Sequence, residues 1–164
     1  MADRVPLPVP GVLDLDNLAT PLTQAVNEHD EIITGRIATS RRTTDSAAVT
    51  STVTESIIDT VTADLVAGRT YKIVWDFGAS QSVATDNFFA RIRLDNISGT
   101  QLQGFRIMTG NNGTSNPVHR ETEYDAVATG PQTFVTTFIR IAGTGSLTSH
   151  AASTNPQLLY VEQV

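Results

Sequence analysis

The sequence predicts an all-β protein: an antiparallel β-sandwich or jelly roll over residues 36–164, preceded by an extended proline-rich arm over 1–20 and one short helix over 21–35. Three observations carry that prediction. From Arg36 onward the apolar residues recur with a period of two instead of 3.6. Thr occurs 24 times, and its β-branched, half-polar side chain suits the solvent face of an antiparallel sheet. Roughly eight to ten short apolar runs follow one another with turn residues between them and no helical stretch, which excludes a parallel α/β sheet.

In the arm, Pro6, Pro8 and Pro10 fix φ at alternate positions and remove three backbone donors, so neither a helix nor a central strand forms there. Val5, Leu7, Val9, Val12, Leu13 and Leu15 make the segment more apolar than a plain linker. Two readings stand, an extended segment that docks on a neighbour and a frayed terminus. Thr20-Pro21 then reads as an N-cap followed by proline at the first helical position, with Gly35 where a helix ends. Leu22, Val26, His29 and Ile33 share one stripe of that helix. The stripe is too short for a coiled coil alone. It either contributes to an oligomer contact or caps the end of its own sandwich.

The β region is read strand by strand. Ala47 to Val53 alternates, and Ile57 to Leu65 follows; Tyr71, Ile73, Trp75 and Phe77 then share one face in the clearest core strand. Trp75 is expected as a core anchor. A polar loop is expected from Gly78 to Asn87, then strands over 88–94, 102–108, 118–128, 133–142, 146–152 and 157–164. Gly130-Pro131, Gly143 to Gly145 and Asn155-Pro156 punctuate them.

Composition narrows the function. The 164 residues suit one domain, and 40% hydrophobic against 17% charged residues is enough for a core and too little charge for a disordered chain. No apolar run approaches the roughly 18 residues of a membrane span, and no basic segment precedes an apolar stretch at the N-terminus, so neither a membrane partner nor secretion is expected. The absence of cysteine excludes disulfides, thiolate metal sites and a cysteine nucleophile. A net charge of -6 with ten scattered Arg and a single Lys argues against nucleic acid as a partner. Six acids against two bases up to Ser40 place most of the negative charge in the first quarter, where a basic partner surface would fit.

Candidate chemistry is sparse. His119, Glu121, Glu123 and Asp125 project from one face of one strand, with neighbours about 6.8 Å apart by strand geometry. A hard cation shared between strands is one reading; a solvated outer face is the other, and no glycine-pinned calcium loop supports the first. Asp30 and Glu31 follow His29 without a second histidine at the spacing a helical zinc site needs. Gly143-Thr144-Gly145-Ser146 lacks the lysine of a phosphate loop and reads as a hairpin turn. Gly78-Ala79-Ser80-Gln81-Ser82 departs from the nucleophile elbow, so no hydrolase and no catalytic residue is expected, nor any cofactor. Lys72, opposite Trp75 on its strand, reads as a solvated amine.

The runs Ile37-Ala38-Thr39 through Thr60, Leu65 to Ile73, Ala90 to Leu94 and Pro156 to Glu162 resemble small virion proteins of tailed phages infecting actinobacteria, the head decoration, head fibre and minor tail types. The resemblance runs from about Gly35 to the C-terminus and rests on composition more than on chemistry. It implies a sandwich displayed at the virion surface, usually as a homotrimer, made in the host cytoplasm, with the N-terminal portion toward the attachment point. The partners expected on that basis are the chain itself and the major capsid protein or other virion subunits. The function expected is capsid decoration: the arm binds the assembled shell, the helix lies near the three-fold axis, and the shell is stabilised. A minor tail or fibre protein that binds a host receptor or glycan is the alternative, and a stand-alone carbohydrate-binding or hydrolytic sandwich is a third.

Overall fold

The alternation from Tyr71 to Phe77 becomes the strand around which the fold is built. In the computed structural model, which describes residues 35–107 and 115–164, Tyr71, Ile73, Trp75 and Phe77 all point into the core and are almost fully buried. Trp75 stacks on Phe77 with ring centroids 4.0 Å apart and meets Phe138 of the facing sheet at 5.4 Å. Phe88, Ile92, Phe134 and Leu159 complete this interior, each with no exposed surface. Burying a side chain of this size contributes about 1.5–3 kcal/mol.

Among the described residues nine strands form two antiparallel sheets: β1 (Arg36–Arg42), β2 (Ser56–Leu65), β3 (Thr70–Gln81), β4 (Asn87–Leu94), β5 (Gln101–Ile107), β6 (Asn116–Asp125), β7 (Gly130–Ala142), β8 (Leu147–His150) and β9 (Gln157–Gln163). One sheet runs β1-β9-β3-β6, with β8 also on β3; the other runs β2-β7-β4-β5. β9 pairs with Tyr71–Asp76 and β8 with Gly78–Gln81, so together they occupy one place beside β3. Strand orders 1-9-3-6 and 2-7-4-5, counted with that shared place, are those of a jelly roll, two Greek keys folded face to face. The sandwich expected from the period-two pattern is therefore present.

Local expectations fare unevenly. The alternation from Ala47 to Val53 does not form a strand; among the described residues its only β pairing is the isolated bridge from Val49 to Leu147. Ser51 explains this, because its Oγ accepts the amides of Val53 and Thr54 and turns the chain instead. The first strand is β1. Gly78 to Gln81 continue β3 instead of opening a loop, since Ala79 is fully buried and pairs with β6 on one side and β8 on the other. Val118 and Tyr124 turn inward against the core, whereas Val127 stays exposed. Arm residues Val5, Leu7, Val9, Val12, Leu13 and Leu15, and helix residues Leu22, Val26, His29 and Ile33, lie outside the described residues.

The sandwich has two unlike ends. At the near end Gly35 accepts the Gln163 amide at 3.1 Å, and the short connections 66–69, 95–100 and 126–129 join strands beside it. The far end carries the long connection 43–55 together with the short ones 82–86 and 143–146.

Candidate functional site

The outer face of the β1-β9-β3-β6 sheet holds the polar side chains of interest. The register sets His119 opposite Asp76, Glu121 opposite Val74, Glu123 opposite Lys72 and Asp125 opposite Thr70. Three of these four β6 side chains find partners across or along the sheet. His119 Nδ1 lies 2.5 Å from Asp76 Oδ1, Lys72 Nζ is 3.5 Å from Glu121 and 4.0 Å from Glu162, and Thr70 Oγ1 donates to Asp125 at 2.7 Å. No group of three or more His, Asp or Glu among the described residues is arranged to hold a metal ion. Lys72 is a paired amine, about a third exposed.

A second cluster on the same face brings together residues far apart in sequence. Gly78 pairs with His150 and Ser80 with Thr148, so His150 and Ser80 are diagonal neighbours on the outer surface. A side chain at position 78 would run into Ser115 Oγ, so glycine there lets Ser115 approach the strand beside His150. The 43–49 segment is stitched to the free side of β8: Ser46 N donates to Ser149 O, Ser46 Oγ accepts the Ser149 amide, and Val49 and Leu147 exchange both backbone bonds. That stitching delivers Asp45 to the imidazole.

The result is a chain of three groups. His150 Nδ1 is 2.9 Å from Asp45 Oδ2, and His150 Nε2 is 2.5 Å from Ser80 Oγ. The other Asp45 oxygen accepts the Ala151 amide at 2.9 Å. That amide holds the Asp45 carboxyl below its ordinary 3.8; slight burial opposes the shift and His150 reinforces it. In the tautomer that donates Nδ1–H to Asp45, Nε2 is the acceptor and the Ser80 hydroxyl is the donor of the second bond. His150 sits in a cleft of about 250 Å³ whose lining includes Asp45, Ala152, Ser115 and Asn155. A larger cleft of about 570 Å³, lined in part by Asp76, His119 and Pro117, shares Ser115 and Asn155 with it.

The glycine-rich connection 143–146 does cradle an anion, and the anion is the chain's own. Asp86, 2% exposed, accepts the Thr144 amide at 3.2 Å and the Gly145 amide more closely. Gly143 has φ of +101°, and a side chain there would strike the Asp86 carboxylate. On the opposite sheet, Glu55 is clasped by Arg91 and Arg93, with Arg93 nitrogens at 2.9 and 3.0 Å and Thr137 Oγ1 donating at 2.8 Å.

No family model matches the chain, and no curated protein matches it. Similar solved structures include a CBM4 structure, at 14% identity over 64% of this chain and 61% of that one, with a TM-score of 0.36. T=1 particles derived from infectious bursal disease virus match at 14% identity over 76% of this chain and 35% of theirs, TM-score 0.44. A carbohydrate-binding module from Cellvibrio mixtus lichenase 5A matches at 9% identity over 79% of this chain and 98% of its own, TM-score 0.39. The chain thus spans less than two thirds of the first two. Likeness at this level says nothing of ligand or role.

Proposed function

We propose that the chain is a structural protein of a phage particle, a capsid decoration protein that binds the assembled shell through its N-terminal arm and holds the jelly roll outward. The observation that carries this reading is the polarity of the sandwich. The point where the apolar, proline-stiffened residues 1–34 join, Gly35, lies at one end, and the long 43–55 connection and both clefts belong to the other half. A module of this shape attaches at one end and presents the other. The resemblance of residues 35–164 to small virion proteins supports the same assignment. Binding only the assembled shell stabilises it by mass action, and linking several shell subunits multiplies the effect.

A tail or fibre protein that binds a host glycan is the second reading, favoured by the larger cleft, where Asp76, His119 and Asn155 offer donors and acceptors beside Pro117 and Pro156. Quantitative mass spectrometry of purified particles separates the two. Hundreds of copies per particle mean a capsid lattice; a few to tens mean the tail or a single vertex. Absence from the particles would overturn both.

A further inference from the structure

We propose that Ser80, His150 and Asp45 form an acyl-transfer site that hydrolyses short, uncharged carboxylic esters. The inference is independent of whether the chain decorates a capsid. Its basis is the geometry of the two contacts already described: Asp45 lies on Nδ1 of His150, where it favours the tautomer with Nδ1–H, and His150 Nε2 faces the Ser80 hydroxyl as a base faces its nucleophile. Chain order is no obstacle, because the same constellation recurs in several orders on unrelated folds.

The neighbouring serines make the arrangement specific. Ser46 accepts the Ser149 amide, Ser82 accepts the Ser146 amide, and Ser149 donates to Gln157. Ser80 alone among these meets an imidazole. The oxyanion that forms during acyl transfer needs donors, and those of the β3 backbone are committed to the sheet. Ser115 and Asn155 line the His150 cleft, and neither side chain bonds another described residue, so they are the donors available. Ser80 is 8% exposed and bonds His150 without itself lining the cleft, so only a short acyl group reaches its hydroxyl.

The step balances without any added cofactor. Ser80 Oγ bonds to the acyl carbon as its proton passes to His150 Nε2; the ester C–O bond breaks, and the alcohol leaves with that proton. Water then gives a proton to His150 and its oxygen to the acyl carbon, and the Ser80–acyl bond breaks. The carboxylic acid departs and the proton returns to Ser80 Oγ. Ser80 and His150 are catalytic residues in this scheme, and Asp45 is a positioning residue.

The test treats the full-length protein with a biotinylated fluorophosphonate and locates the label by peptide mass spectrometry, alongside hydrolysis of p-nitrophenyl acetate. We expect one label per chain, on Ser80, and hydrolysis at least tenfold faster than by Ser80→Ala. Asp45→Asn should slow labelling at least tenfold while its melting temperature falls by no more than a few degrees, a split that a merely structural aspartate would not give. Labelling of the unsubstituted chain stands even if the variants misfold. Absence of label on Ser80, or label scattered over several serines, would overturn the proposal, as would equal hydrolysis by folded Ser80→Ala.

Discussion

The 43–55 connection is pinned at both ends by a carboxylate, and the two pins differ in kind. Asp45 reaches the outer face of one sheet and keeps half its side-chain surface; Glu55 reaches the outer face of the other and keeps 11%. Glu55 is surrounded by two guanidinium groups and a hydroxyl that together use both its oxygens. Asp45 has one imidazole and one amide, beside an open cleft. A charge enclosed by fixed partners holds structure, and a charge left at a cleft beside a histidine and a serine is available for chemistry. The same strap therefore carries a clamp at one end and a candidate reactive group at the other.

Removing the clamp should have the largest effect. Glu55→Ala leaves Arg91 and Arg93 largely buried without their counter-charge, and breaking such a pair costs about 3 kcal/mol. Asp45→Asn exposes little and should cost under about 1 kcal/mol. Urea unfolding of both variants checks the ratio; equal losses would erase the distinction between clamp and reactive site.

Acid sharpens the contrast. Burial alone would raise the Glu55 carboxyl, but hydrogen bonds from Arg93 and Thr137 and the charges of Arg91 and Arg93 outweigh it and hold the group below its ordinary 4.5. A folded value below the unfolded one means that the stability it supplies is complete above about pH 4.5 and is lost as pH falls through the folded value. Urea midpoints measured from pH 7 to 3 should fall less steeply in Glu55→Gln than in the unsubstituted chain. Parallel curves would show that the clamp does not act through its charge.

How much of this was readable beforehand follows from sequence separation. Trp75 and its strand are legible because the alternation that buries them is local, and the sandwich is legible because many such runs follow one another. The strand order is not, since β3 takes β6, β8 and β9 as partners, none of them consecutive with it. Ser80 and His150 are 70 positions apart and Asp45 and His150 are 105 apart; the register of the four-residue β8 on β3 unites the first pair, and the stitching of 43–49 to β8 unites the second. The one available signal was negative: Ser80 lacks an elbow because a strand, not a turn, carries it. Glu55 likewise sits in no motif. His119 to Asp125 were legible as one face, but not the cross-strand partners that neutralise most of it.

A milder perturbation tests the stitching between the two pins. Ser46→Ala removes the acceptor for the Ser149 amide, which belongs to a fully buried residue, and an unsatisfied buried donor costs about 1–2 kcal/mol. Because Ser46 is next to Asp45, the variant should also slow fluorophosphonate labelling of Ser80 severalfold, whereas Glu55→Gln, at the far end of the strap, should not. Differential scanning fluorimetry read beside the labelling rate separates the effects, and labelling unchanged in Ser46→Ala would mean that Asp45 does not depend on this seam.

The smallest effect is expected at the other histidine. His119 has a carboxylate partner of its own, Asp76 at 2.5 Å, yet it keeps 59% of its side-chain surface, no serine hydroxyl among the described residues bonds it, and it sits on β6 at the edge of the described sheet. An exposed pair of this kind contributes about 0–1 kcal/mol. His119→Ala should leave the melting temperature within a degree or two and labelling of Ser80 within twofold, while His150→Ala abolishes the label. The two imidazoles lie on one sheet face beside adjoining clefts, each with a carboxylate partner of its own, so a difference between the variants would trace to what separates them, the Ser80 hydroxyl at Nε2 of His150. Equal loss of labelling would instead make the two clefts one site and move the chemistry away from the Ser80–His150–Asp45 chain.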